Sequence, residues 1–181
     1  MKSPSIQAIE RASGYVETDS GKVVRALRST YKRHGTRNLF AALEVETGQV
    51  HTKFTQFKKR QDFRDFLDGV LADQPRDREI HVILDNYSPH KRNDDWLARF
   101  EGRVQFHFTP TSASWLNQIE IVFSLLQRKT LNGGTFKTKD QLREAIEAFF
   151  RRHNAHAKPF RWRKREVKGS QLHNTIINLR N

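Results

Sequence analysis

The sequence predicts an α/β fold built on a mixed sheet. Three observations carry that reading. Two strand signals sit close together near residue 45, short β-branched runs alternate with helical periodicity in the middle, and amphipathic helices fill the C-terminal third. At 181 residues the chain has the length of one domain and can bury a core without staples. Hydrophobic residues make up 36% and charged residues 29%, a globular rather than a disordered balance.

Thr36–Glu44 (TRNLFAALE) and Gln49–Phe54 (QVHTKF) read as two strands joined across Val45-Glu46-Thr47-Gly48, with glycine near the end of the connection. A helix follows from about Lys59 to Ala72, because Phe63, Phe66, Leu67, Val70 and Leu71 recur at the spacing of one buried face. Gln74-Pro75 stops it. Glu79–Asp85 (EIHVILD) is the short apolar run of a strand buried on both faces. A short helix over about Lys91–Phe100 and a strand over Val104–Phe108 come next. A Ser/Thr-rich loop, Pro110–Ser114, feeds a helix from about Trp115 to Lys129 with Leu116, Ile119, Phe123 and Leu126 as its core stripe. Asn132-Gly133-Gly134 breaks the chain. Thr138-Lys139-Asp140-Gln141 then reads as a capping box opening a helix whose buried face is Leu142, Ala145, Ile146, Phe149 and Phe150. No internal repeat or low-complexity tract interrupts this order.

The absence of cysteine excludes disulfides and thiolate zinc sites. No apolar run approaches the roughly 18 residues of a membrane span, and Met1-Lys2-Ser3-Pro4-Ser5 leads into no apolar signal region. A cytoplasmic protein is the expectation. Thirty-three Lys and Arg stand against 20 Asp and Glu, a net charge of +13, which favours a polyanionic partner over a merely solvated surface. The surplus is uneven: Arg151–Asn181 carries nine Lys or Arg and the single acid Glu166.

Two carboxylates draw attention. Asp85 closes the strand Ile80–Leu84, and ligands gather at the carboxyl ends of strands in α/β sheets; a turn-capping role is the alternative. Glu120 lies one turn past Asn117 on an apolar helix, where a solvent-facing residue is the alternative. Together, a strand-end and a helix carboxylate can converge on hard divalent cations. In the tail, Lys158-Pro159-Phe160-Arg161-Trp162-Arg163-Lys164-Arg165 interleaves aromatics with cations, which suits a phosphate-tracking surface with stacking platforms. Packing of Phe160 and Trp162 onto the domain is equally compatible with that pattern. Trp115 reads as a packing anchor.

Leu84-Asp85-Asn86-Tyr87-Ser88-Pro89-His90-Lys91, followed by PTSASWLNQIE over Pro110–Glu120, resembles the DDE transposases of bacterial insertion sequences in the mariner superfamily. That family carries its second carboxylate in a strand-end D-N-x-x-x-H motif and its third in a helical L-N-x-I-E motif. Thirty-four residues separate Asp85 from Glu120, the family's gap. Tyr31–Thr36 is similar to the family's approach to its second strand, and Phe149–Phe160 to its C-terminal helix and tail.

The resemblance implies a ribonuclease H-like fold, a mixed five-stranded sheet flanked by helices, over residues 1–157, with a basic tail over 158–181. It implies metal-dependent DNA cleavage and strand transfer in transposition. Mg²⁺, with Mn²⁺ as substitute, would be held by Asp85 and Glu120, and two ions would serve the attacking and leaving oxygens. Asn86, His90 and Asn117 would support the site, with helix capping the alternative for the first two. Lys158, Arg161, Arg163, Lys164 and Arg165 would contact double-stranded DNA, at transposon ends and target, with a homodimer open as the assembly. The family's first aspartate ends a central strand just before a stretch similar to Lys2–Ala8. Neither Glu10 nor Asp19 stands in a matching motif. The expectation is therefore a first strand largely missing and an impaired enzyme, through a late start or a decayed copy. A non-catalytic nucleic-acid-binding remnant and a ribonuclease H-like nuclease outside transposition are the competing readings.

Overall fold

The computed structural model describes residues 4–86, 90–91, 93–109 and 117–159. Its elements, in order, are strands β1 (Ser5–Glu17), β2 (Val23–Leu43) and β3 (Val50–Thr55), helix α1 (Arg60–Ala72), strand β4 (Ile80–Leu84), helix α2 (Asp94–Leu97), strand β5 (Val104–Phe108), and helices α3 (Ile119–Leu126) and α4 (Lys139–Ala155). A 3₁₀ turn extends α2 over Ala98–Phe100, and a π-helical turn extends α3 over Gln127–Leu131. Among the described residues no helix is long and apolar enough to cross a membrane.

Antiparallel pairing builds a sheet in the order β1-β2-β3, and β4 and β5 pair parallel as a second sheet. The α/β class is as expected, but the single five-stranded sheet is not what forms. The β1 ladder runs along β2 from Glu17↔Val23 only as far as Ser5↔Asn38 and the bond from Leu39 N–H to the Pro4 carbonyl at 3.1 Å. Between Leu39 and Leu43, β2 pairs with β3 on its other edge, and among the described residues β4 pairs with β5 alone. A cavity of about 400 Å³ separates the two sheets. Ala42, Leu43 and Glu44 line one side and Ile80–Ile83 the other; Leu67, Val70 and Leu71 of α1 close one face, and Asn117–Ile119 the opposite face.

The run Leu39–Leu43 is apolar because both faces of β2 are covered. Successive side chains of a strand alternate between faces. Leu39 and Ala41 join Ala8, Val50, α3 and α4 in one core, where Ile119, Val122, Leu126, Leu142, Ile146, Phe149 and Phe150 are buried. Phe40 turns the other way, into Phe63, Phe66, Leu67 and Leu71 of α1 with Leu84, Trp96 and Val104. Burial of a side chain such as Phe40 contributes on the order of 1.5–3 kcal/mol. The result is helix, sheet, helix.

β2 runs antiparallel to β4. The Arg78 guanidinium, just before β4, bonds Glu46, just after β2, at 3.1 Å. At the other end Phe40 packs on Phe63, whose ring meets His90, beyond the end of β4.

α1 and α4 begin close to where their sequences suggest. Asp62 accepts from the Lys59 N–H at 2.8 Å at the start of α1. Thr138 Oγ1 accepts from Gln141 N–H at 3.1 Å, while the Gln141 amide oxygen takes the Lys137 N–H at 2.8 Å, one residue before the expected partner. α3 begins at Ile119, later than expected; residues 110–116, with Trp115 and the Pro110–Ser114 loop, lie outside the described residues. The largest difference is at the N-terminus. β1 was not expected, and β2 starts at Val23 rather than near Thr36. Much of this ribbon stands clear of the core, so it lacks the one-sided apolar alternation that marks a half-buried strand.

α4 is tied to the β2–β3 turn by its last residues. Asn154 accepts from Val50 N–H at 2.9 Å and donates to the Val50 carbonyl at 3.0 Å, so its amide acts as one more strand residue on the outer edge of β3. His153 Nε2 donates to the Gly48 carbonyl at 3.1 Å. Gly48 has φ +76°, and a Cβ there would run into the Lys158 carbonyl, so only glycine fits. Asn154→Ala removes both bonds to a half-buried strand edge. Chemical denaturation should show a loss of roughly 1–3 kcal/mol; a loss below half of one kcal/mol would mean water replaces the amide without cost.

Candidate active site

Asp85 follows the last residue of β4 and is about one-quarter exposed. Its position comes from the parallel ladder, in which Leu84 pairs with Phe108 and the Thr109 N–H donates to the Leu84 carbonyl at 2.8 Å. Asn86 Nδ2 donates to the Thr109 carbonyl at 2.6 Å and ties the ends of β4 and β5 together. The backbone under Asp85 is thereby held by two strands.

His90 holds the side chain. The imidazole is fully buried, and its Nδ1 stands 2.7 Å from Asp85 Oδ1 and 3.3 Å from the Asp85 carbonyl. Both facing atoms are acceptors when the carboxylate is ionised, so Nδ1 carries the proton. The ring also packs on Phe63 with centroids 4.6 Å apart. One oxygen of Asp85 is therefore oriented by a group that cannot move without disturbing the core.

The segment after His90 is anchored in turn. Asn93, nearly fully buried, donates to the carbonyls of His90 (2.9 Å) and Lys91 (3.2 Å) and accepts from Arg64 Nε at 2.9 Å. Arg64, on α1, also grips Asp95 with both terminal nitrogens, at 2.9 and 2.6 Å, and this bond holds the Asp95 carboxyl below its usual range. The Asn93 carbonyl accepts from Trp96 and Leu97, so Asn93 starts α2 while its side chain fixes the loop behind it. Asn93 holds the N-cap position of α2 without a side-chain capping bond, while Asn86 and His90 bond at the end of β4.

Glu120 stands in the first turn of α3, partly buried, beside Ile121, which is about half exposed. Asn117 is buried just ahead of the helix, and its carbonyl accepts from Glu120 N–H at 3.0 Å. Gln118 and Ile119, which precede Glu120, line the cavity that β4 borders. Asp85 and Glu120 thus belong to two elements that flank the same gap. The structure brings Asp85 and His90 into direct contact and sets Asn117 beside Glu120 in sequence and backbone bonding. Among the described residues no group of three or more His, Cys, Asp or Glu gathers as a metal site.

Lys58 is a neighbour that no motif announced. It lies in the loop before α1; burial lowers its pKa below the usual ammonium range, while the Asp85 carboxylate pulls in the opposite direction. The only hint in the sequence was the basic run Lys58-Lys59-Arg60. Lys158 is exposed, whereas Arg161, Arg163, Lys164 and Arg165 lie outside the described residues.

The model of the DDE superfamily endonuclease family matches residues 5–143 of this chain. No curated protein matches. Among solved structures, a chain of the cryoEM structure of the simian T-cell lymphotropic virus intasome in complex with PP2A regulatory subunit B56 gamma is similar at 12% identity and a TM-score of 0.43. That likeness covers 76% of this chain and 46% of the other, so the present chain spans about half of its length.

The buried imidazole gives the site a stability signature. His90→Ala empties a filled position between Phe63 and Asp85 and should cost roughly 2–4 kcal/mol in a denaturant melt. A variant as stable as the parent would show that the ring neither packs nor orients Asp85.

Proposed function

Because the chain belongs to the DDE superfamily endonuclease family, we propose that it is the DNA-cutting and strand-transferring domain of a transposase, with Asp85 and Glu120 as its metal-binding carboxylates. The ribonuclease H-like domain lies within residues 1–157, and the tail 158–181 contributes cations to DNA. The observation that carries this reading is the Asp85–His90 pair at the carboxyl end of β4, a carboxylate fixed by a fully buried group where α/β sheets place their ligands.

The donor chemistry fits Mg²⁺ or Mn²⁺, since both proposed ligands are hard carboxylate oxygens. Divalent ions bound there would supply activation of the attacking oxygen and stabilisation of the leaving one. The chain's own residues do the rest. His90 restricts Asp85 to one orientation, Asn86 fixes the strand end beneath it, and Lys58 offers a cation beside Asp85 for a phosphate oxygen.

A third carboxylate belongs in the gap between the sheets. An extended strand leading into Pro4 would continue β1 antiparallel to β2 and lie parallel to β4, so its carboxyl end would arrive beside Asp85. β2 pairs with β3 and β4 with β5, the cavity lies between β2 and β4, and Gln118 Oε1, buried in the cavity wall, has no hydrogen-bond partner among the described residues. A second reading, a DNA-binding protein without cutting activity, is favoured by the net charge of +13, which suits a polyanionic partner whether or not it is cut.

A nicking assay on supercoiled DNA with Mg²⁺ or Mn²⁺ separates the two. The chain preceded by a short strand ending in Asp-Glu ahead of Lys2 should cut, and melt at a higher temperature than the chain alone. Asp85→Ala or Glu120→Ala in that background should reduce cutting by about 100-fold or more. The chain alone should not cut measurably. If it cuts and Asp85→Ala abolishes the cutting, a residue outside the gap supplies the third ligand; if no form cuts, the DNA-binding reading stands.

A further inference from the structure

The β1–β2 ribbon continues well past the body of the molecule. Its last ties are at Ile9 and Arg11 on one strand: Phe136 N–H donates to the Ile9 carbonyl at 2.8 Å, and Thr135 Oγ1 both accepts from Arg11 N–H (3.1 Å) and donates to the Arg11 carbonyl (3.0 Å). On the other strand, Lys139 packs against Gly35 and Arg37 bonds Asp140 at 2.6 Å. Pairing then runs on through Ser13↔Leu27 to Glu17↔Val23 and closes at the Thr18–Lys22 turn, where Thr18 N–H donates to the Lys22 carbonyl at 3.0 Å. At roughly 3.3 Å per residue, the stretch from Tyr31, which pairs with Arg11, to Val23 is about 26 Å long. Among the described residues, no hydrogen bond or ion pair joins residues 12–30 to anything but the ribbon itself. A two-stranded ribbon is marginal by itself in water, so a projection of this length is not explained by stability.

Its charge points to a partner. Residues 12–33 contain Lys22, Arg25, Arg28, Lys32 and Arg33 against Glu17 and Asp19. Near the base, Tyr31, Lys32 and Arg33 are all exposed. The Arg33 guanidinium lies 5.4 Å over the Tyr31 ring and donates to its hydroxyl at 3.0 Å. An aromatic plate with a guanidinium held over it, beside a lysine on the opposite face of the strand, presents cations to both sides of the ribbon.

The fold also sets the ribbon's direction. β2 runs antiparallel to β4, with Glu46 beside Arg78 at the start of β4 and Phe40 toward His90 at its end. The N-terminal half of β2 therefore leaves the molecule from the end at which Asp85 stands.

We propose that the β1–β2 ribbon is a docking surface for duplex DNA, holding phosphates as the duplex passes the Asp85 end of the sheet. The proposal rests on the reading of Asp85 as part of the cutting site for its placement, and on the ribbon's own charge for its ligand. A two-stranded ribbon is narrow enough to enter a major groove. Contacts from Lys and Arg to phosphate release counterions, so this surface contributes to the salt dependence of binding.

The test uses the full chain, a fluorescent duplex of arbitrary sequence and EDTA, with anisotropy read across a salt series. Lys32→Gln with Arg33→Gln should weaken binding about tenfold near 0.1 M salt and lower the slope of log K against log salt by about two. Lys22→Gln, at the exposed turn, should lower the slope by about one and guards against a folding defect in the double variant. Unchanged affinity and slope in both variants would overturn the proposal. So would a change in oligomeric state with DNA affinity unaltered, which would make the ribbon a contact between copies. Asp85→Asn, made in the chain preceded by the Asp-Glu strand, tests the catalytic reading separately: if that variant still cut DNA with metal, the catalytic reading would fail while the ribbon result stood.

Discussion

Burial of β2 on both faces is the constraint from which the rest of the structure follows. Leu39, Phe40 and Ala41 are inaccessible to solvent, with α3 and α4 on one side and α1 on the other. A backbone enclosed in this way needs partners for its N–H and C=O groups, because unpaired buried groups cost about as much as lost hydrogen bonds. β3 provides them along one edge. Along the other edge the β1 ladder reaches only to Leu39, and beyond it lies the cavity that β4 borders. The same constraint fixes β4, since α1 packs against both Phe40 and Leu84.

That arrangement also positions Asp85, the carboxylate proposed to hold metal. A parallel pair collects its carboxyl ends on one side, so Asp85 and Thr109 emerge together and Asn86 can bridge them. His90 then converts core packing into side-chain orientation, because its ring contacts Phe63 and its Nδ1 faces Asp85. Arg64 and Asn93 extend the support outward to α1 and α2. The carboxylate thus inherits its rigidity from the same aromatic cluster that covers β2.

Much of this was legible in the sequence, and the exceptions have physical causes. The i, i+3, i+4 spacing of Phe63, Phe66, Leu67 and Leu71 gave α1, and the Thr138 cap gave the start of α4, because helix signals are local. β4 and β5 were legible as short β-branched and aromatic runs between breakers, but β4 is not buried on both faces as its apolar run suggests, since His81 and Ile83 are exposed. The extent of the β1–β2 ribbon was not, since no buried face imposes an alternating pattern on it. The division into two sheets was equally hidden, because neither β2 nor β4 encodes by itself whether the other will pair with it. At the candidate site, the motif set His90 five residues after Asp85, and the structure brings the two into contact; the pairing of Asp85 with Glu120 on metal is a proposal drawn from their spacing. The Arg64–Asn93–Asp95 network and Lys58 come from segments brought together only by folding, and no spacing rule could have linked them.

The proposed sharing of divalent cations by Asp85 and Glu120 in the cutting of DNA can be read by anomalous diffraction at the manganese edge, from crystals of the chain preceded by the Asp-Glu strand, grown with duplex DNA and Mn²⁺. A manganese peak is expected within about 2.0–2.4 Å of carboxylate oxygens from both Asp85 and Glu120, against a phosphate of the duplex. No peak at Asp85, or a peak there with the Glu120 carboxylate turned to the opposite face of the sheet, would contradict it.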